Sequence, residues 1–373
     1  MNSDLGVAVA NSIRERLMPD DLVLSKDALL QLLATDGPLD SATVRNGWML
    51  LWSRECDFEA TSRLLTRYLA QPLSDSETAW AYINLANGHA VTEHAAEAVH
   101  AHETFEHWLP GKSPRLSCTW PYYPAPDGSP DVRMGPDEIR VTFLAQSVEF
   151  ATSYAAVGRY TDYVAKTDAA LVGLTPTHDN LEVRFYGLRI FMTASQVAGD
   201  FERAERHLLA MHAIADQVED ASKAAQLHAF AVTYEIQLAR GRNDPARVAE
   251  KLQQALLLLE ELEKNGSSGT DLRGYRLELA HHLTQVGQHD LALPLLDANL
   301  SAGGHFGNGY AWLMHAAAIW QVTRDRPRAL GLLRDARAHD GRDLVGDFQA
   351  FAAFREVKDD PEFLQAISRL AAG

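Results

Sequence analysis

Five histidines crowd residues 89–107: His89, His94, His100, His102 and His107. Imidazole ligates zinc and iron and moves protons near neutral pH, so such a cluster is the first place to look for chemistry. On a helix, His100, Glu103 and His107 share one face, where two imidazoles and a carboxylate can hold a metal ion. His89 and His102 instead fall on the apolar stripe of that helix, where a hydrogen-bonded core histidine is the ordinary occupant. Spacing on one helix with no compact ligand motif does not assign a metal. A metal-dependent enzyme built on His100, Glu103 and His107 is therefore an alternative reading, and no metal, cofactor or catalytic residue is assigned.

The other reactive residue types lead to the same place. Gly303-Gly304-His305-Phe306-Gly307-Asn308-Gly309 has no preceding strand and no following Lys-Ser/Thr, so it reads as a connector and not as a phosphate loop. Ser267-Ser268 has no strand-to-helix elbow to present a nucleophile. His281-His282 reads as a split pair, one ring inward and one outward. The two cysteines, Cys56 and Cys118, make neither a disulfide framework nor a Cys-based zinc site.

Composition narrows the class of partner. In 373 residues, 50 acidic against 34 basic side chains give a formal charge of −16. That surface repels nucleic acid phosphates and anionic lipid, so neither nucleic acid nor membrane is expected, and a protein or peptide partner would be basic or neutral. The opening MNSDLGVAVANS has no basic n-region and too short an apolar run for export or a membrane span, so a reducing cytoplasm is expected.

Whatever chemistry the chain performs must be positioned by helices. In residues 185–218, apolar residues recur at helical spacing through Phe185, Leu188, Phe191 and Met192, stop at Gly199-Asp200, and resume through Phe201, Ala204, Leu208 and Met211. Gly199 suits the left-handed position after a helix, and Asp200 caps the next. Similar hairpins follow from residue 42 and through 80–110, 137–174, 221–264, 271–301 and 309–339. The residue four places after each turn is Thr61, Ala98, Tyr163, Ala204, Val248, Ala292 and Ala329, at steps of 37, 65, 41, 44, 44 and 37. Helical-hairpin repeats span about 34 to 47 residues, so only the 65-residue step is too long. The excess lies at 109–136, where prolines and glycines exclude a helix. No strand-length alternation of apolar residues stands out, so the chain is expected to be all-α.

The turn Gly-Asp-Phe-Glu-x-Ala at 199–204, the pair Leu85-Ala86 with Ala98 and Pro110, and the sets Leu279-Ala280, Gly287, Ala292 and Ala316-Ala317, Ala329 resemble tetratricopeptide repeats. The resemblance covers roughly residues 42–340. Cys56 and Glu93 stand where the family has a turn glycine, and Tyr163 where it has alanine. The resemblance implies a right-handed α-α superhelix of about seven hairpins whose first helices line a concave groove for a peptide or partner segment. Domain bounds on that reading are capping helices at 1–40, two hairpins at 41–108, the insertion at 109–136, five hairpins at 137–340 and a terminal cap at 341–373.

The residues one step off the buried stripe of each first helix are the expected groove lining. They are Trp80, Asn84 and Asn87, then Tyr186, Arg189, Thr193 and Gln196, then His281 and Gln285, then Met314 and Gln321. Trp120, Tyr122 and Tyr123 stand among prolines in the insertion and are expected to form one wall. The expected function is a non-enzymatic scaffold or adaptor in a bacterial-type cytoplasm, with a homodimer through an end helix as a further possibility. A regulatory sensor whose superhelix changes pitch on binding a small molecule or peptide is the second alternative.

Overall fold

At six hairpin turns among the described residues the chain reverses through one residue held in the left-handed region. Gly158, Gly199 and Gly287 have φ of 73°, 81° and 80°. Glu93, Asn243 and Arg324 take φ of 61°, 55° and 55° at the equivalent point of three other turns. At five of these turns the next N–H donates to a carbonyl five residues back: His94 to His89, Arg159 to Tyr154, Asp200 to Ser195, Asp244 to Ala239 and Gln288 to Leu283. That bond satisfies a carbonyl the helix end would otherwise leave bare, which is why a side-chain-bearing residue accepts the left-handed conformation there.

The computed structural model describes residues 25–35, 37–54, 57–110, 116–117, 133–145, 147–177, 180–265, 269–305, 309–339 and 344–368. The first part of the expected capping segment, residues 1–24, both cysteines, and Trp120, Tyr122 and Tyr123 lie outside the described residues. The chain divides into two compact units, Met1–His207 and Leu208–Gly373.

In the first unit, α1 (Lys26–Leu33) begins at Ser25, whose side chain accepts from the Ala28 N–H as its sequence position implied. Next come α2 (Ser41–Trp48), continued by a π-helical turn at Met49–Arg54, and α3 (Phe58–Leu69). The second hairpin is α4 (Asp75–Val91) with α5 (Ala95–Trp108). The third is divided: its first arm is two helices, α6 (Pro136–Leu144) and α7 (Val148–Ala156), before α8 (Tyr160–Gly173). One continuous helix was expected there, but Ser147 is extended, with φ −157° and ψ 161°. Helix α9 (Leu181–Val197) follows, and the division between units falls within α10 (Phe201–Ala215).

The second unit continues with α11 (Ala221–Gly241), α12 (Pro245–Lys264), α13 (Gly269–Gln285), α14 (His289–Ser301), α15 (Gly309–Thr323) and α16 (Arg326–His339). It ends in α17 (Val345–Ala350), a 3₁₀ turn at Ala352–Phe354, and α18 (Pro361–Ile367). Asp244 and Asp360 cap α12 and α18, each ahead of a proline whose missing N–H costs nothing at that position.

The fold is thus all-α, a succession of helical hairpins packed on their neighbours. One addition went unforeseen: a two-residue antiparallel ladder, Leu116 opposite Met134 and Ser117 opposite Arg133, inside the proline-rich insertion. Two residues per strand are too few to leave a periodic signature. The seven register positions read from the sequence are all buried, from 0% exposed at Thr61, Ala98, Ala204, Ala292 and Ala329 to 2% at Tyr163 and 7% at Val248.

Within each unit, first helices also stack on first helices. Helix α4 packs on α7 and α7 on α9; in the second unit α11 packs on α13 and α13 on α15. Close approach is visible where α6 meets α9, since a Cβ on Gly187 would stand 2.6 Å from Cγ1 of fully buried Val141. Gly187→Ala gains about 1 kcal/mol of helix propensity. It also overpacks a stiff β-branched neighbour, at about 1–3 kcal/mol. The substitution should therefore lower the thermal midpoint, and Val141→Ala in the same chain should restore part of the loss; an unshifted melt for Gly187→Ala would contradict this approach.

Candidate functional site

Within the histidine cluster, the buried ring is His102. His102 is 1% exposed, and its Nδ1 lies 2.7 Å from the Tyr154 hydroxyl, between the rings of Phe143 and Phe150. Burial and the charge of Lys166 pull the His102 ring down to about 3, so it is neutral near pH 7. Glu103 is engaged by Arg159 at 2.6 Å, and Arg159 also grips Asp162 at 2.7 Å. Glu106 pairs with Lys166. His100 and His107 are exposed, and among the described residues no group of three His, Cys, Asp or Glu side chains is placed to hold a metal ion.

Two further histidine networks lie in the second unit, and the sequence signalled neither. The His212 and His228 rings stack at 5.6 Å, with Glu235 3.0 Å from His212 Nε2 and Asp216 3.0 Å from His228 Nε2. Lys251 closes that set on Glu235 at 2.7 Å. Deeper in the unit, His305 Nε2 lies 2.9 Å from His315 Nδ1, and His315 Nε2 lies 3.0 Å from Asp297, which also holds Arg328. Their partners are 10 to 31 residues apart in sequence, beyond the reach of any helical spacing rule.

The expected groove residues divide by burial. Trp80 is half-buried, edge-on to Trp48 at 5.8 Å. Asn84 is 1% exposed and donates Nδ2–H to the Trp80 carbonyl at 2.8 Å, so it serves its own helix; Asn87 is half-buried. Tyr186 and Arg189 come together, the guanidinium 5.5 Å from the ring, and both are half-buried, as is Gln196. Thr193 is buried against the Arg189 carbonyl at 3.1 Å.

In the second unit, half-buried His281 sits 2.7 Å from exposed Gln285 through their Nε2 atoms. Met314, 1% exposed, belongs to the core cluster and lines no open face. Gln321 donates to the Ala353 carbonyl. Asn84, Thr193 and Met314 were expected on the lining because a one-step offset counts positions on a helix and not the neighbours packed over it.

Two residues of the second unit's first-helix row, Arg240 and Tyr310, and Phe351 just after α17 were not among the expected lining. The His281 ring lies 5.9 Å from Tyr310, Tyr310 lies 5.7 Å from Phe351, and the charge of Arg240 acts on His281. Arg240 follows from the same lining rule applied to α11: Ala229, Val232, Ile236 and Ala239 are buried, and one step beyond each stand Phe230, Thr233, Gln237 and Arg240.

No family model matches the chain, and no curated protein matches it. Among solved structures, the crystal structure of a Rap protein complexed with competence and sporulation factor is similar with a TM-score of 0.41 at 13% identity, covering 96% of this chain and 92% of that one. A likeness at that level says nothing of what this chain binds. Among the described residues no helix is long and apolar enough to cross a membrane.

The buried rings set a pH dependence. His102 and His305 are held at about 3, and His207, His281 and His315 at about 4, with burial the largest cause in each. Unfolding returns each ring toward 6.5, so below that pH the unfolded chain binds protons that the folded chain refuses. Stability is full above about pH 6.5 and falls as the pH drops toward 4, a loss that begins before ordinary carboxylates titrate near 4. The thermal midpoint should decline from pH 7 to pH 5; a flat profile over that interval would mean the rings are not held neutral.

Proposed function

We propose that this chain is a non-enzymatic, cytoplasmic adaptor that binds a peptide or partner-protein segment on the faces of its first-helix rows. The observation that carries this reading is the pair Tyr186 and Arg189 on α9, cation over ring at 5.5 Å and half-buried, on the helix that packs against α7. Tyrosine and arginine offer large contact area with a polar end, and they dominate recognition hot spots. Amide and hydroxyl groups on the same rows suit an extended backbone, which carries one donor and one acceptor per residue. The charge of −16 favours a segment that is basic or neutral along its length.

The absence of an assigned reaction follows from where the reactive groups go. Glu103, Glu106 and Asp297 are committed to Arg159, Lys166 and Arg328, and His102 and His315 to buried hydrogen bonds. Such pairs hold helices together and occupy the groups that acid–base chemistry would need free.

Binding can be read by panning a random peptide library against the purified chain and measuring the affinity of the peptides it retains. The double substitution Tyr186→Ala with Arg189→Ala should weaken binding to the first unit's face about tenfold or more, equivalent to about 1.4 kcal/mol, with the melt nearly unchanged. Unchanged affinity across all retained peptides would remove the α9 face from the binding surface.

A further inference from the structure

Helices α10 and α11 are tied by two contacts that cross. His212 on α10 reaches Glu235 on α11, Nε2 to Oε1 at 3.0 Å, and His228 on α11 reaches Asp216, the residue after α10, Nε2 to Oδ1 at 3.0 Å. Each ring thereby turns its other nitrogen toward its neighbour, and the two Nδ1 atoms stand 3.3 Å apart. The side chains of His212 and His228 are 27% and 34% exposed, so water reaches the pair.

The hydrogens of this set can be counted. Burial pushes the Glu235 carboxyl up, but hydrogen bonds from His212 and Lys251 and the Lys251 charge outweigh it and hold the group below the usual carboxylate range, so it is ionised at neutral pH. A carboxylate only accepts, and each Nε2 must therefore carry a hydrogen. A neutral imidazole has one N–H, which leaves both Nδ1 atoms as bare lone pairs directed at each other. Two lone pairs so placed repel, and the arrangement closes only around an electrophile. The His305–His315 contact differs, because only one of its rings meets a carboxylate and the other brings a hydrogen to the gap.

From the facing Nδ1 atoms and the carboxylates behind them, we infer that His212 and His228 bind one divalent transition-metal ion, zinc being the best match, with water in its remaining positions. Zinc–nitrogen bonds of about 2.0–2.1 Å in a tetrahedral shell set two ligand nitrogens about 3.3–3.4 Å apart, which is the separation present. Charge-assisted hydrogen bonds are shorter, about 2.7–2.9 Å, so a shared proton fits the gap less well. Histidines that ligate metals pass their far N–H to a carboxylate, as both rings do here. Lys251 and Arg247 on α12 approach the other oxygen of Glu235, at 2.7 and 3.7 Å, and leave Oε1 to His212. An ion so held clips the second helix of one hairpin to the first helix of the next. Peptide binding by the first-helix rows neither requires this ion nor is required by it.

The test uses the full chain after treatment with a chelator. Zn²⁺ is titrated by calorimetry, and Co²⁺ by the intense visible absorption that marks a tetrahedral shell, against wild type, His212→Gln, His228→Gln and Glu235→Gln. His100→Gln, which removes an exposed ring, controls for adventitious binding to surface imidazole. Wild type and His100→Gln should bind Zn²⁺ alike, Glu235→Gln should lose about tenfold in affinity, and His212→Gln and His228→Gln should lose more. Zn²⁺ should raise the thermal midpoint of wild type and leave that of His212→Gln and His228→Gln where it stands.

Nitrogen NMR of the histidine rings in wild type separates the metal from a proton. Saturating Zn²⁺ should shift the Nδ1 resonances of His212 and His228 while both Nε2 hydrogens persist. A hydrogen on one Nδ1 that Zn²⁺ does not displace would give the position to a proton and overturn the assignment. No saturable binding by wild type, or equal affinity in wild type, His212→Gln and His228→Gln, would overturn it as well. Should either glutamine variant melt several degrees below metal-free wild type, the ring resonances of wild type alone decide.

Discussion

The structure depends on how a helix end is closed where the chain doubles back. A terminal carbonyl stripped of its helical partner must find a donor, and at five of the six described turns the residue after the turn supplies it by reaching five positions back. The geometry requires one left-handed residue, and three of the six turns described place Glu, Asn or Arg there in spite of the steric penalty. The small or apolar residue four places on is buried in each hairpin, from Thr61 to Ala329. Register, packing and the stacking of first helices all follow from that closure.

This is also why the hairpins were legible and the finer features were not. Gly199-Asp200 and Gly287 announce a turn by residue type, and Asp244-Pro245 announces the next helix. The break between α6 and α7 was hidden because Val141, Phe143 and Leu144 run into Val148, Phe150 and Ala151 with no change of pattern; all are buried, and the extended residue between them is an unremarkable serine. The π-helical turn at Met49–Arg54 likewise changes the backbone without changing the composition.

Sites were harder to read than elements, for a different reason. A groove rule based on angle alone takes in half-buried Tyr186, Arg189 and His281 together with buried Asn84 and Met314, because exposure is decided by neighbours that angle does not count. His102 was expected in the core from its place on the apolar stripe, but its partner, Tyr154, is 52 residues away and beyond any spacing rule.

The line from Asp297 through His315 to His305 has a consequence for the direction of its hydrogen bonds. A carboxylate only accepts, so His315 must present Nε2–H to it and keep a bare Nδ1, and that nitrogen can only be served by an N–H on His305 Nε2. The remaining nitrogen of His305, enclosed beside the Trp312 indole, is thereby fixed as a lone pair. Asp297 on α14 thus dictates the tautomer of a ring it never touches, and an amide donating in its place would reverse the polarity of the whole line by shifting protons alone, with every heavy atom where it stands.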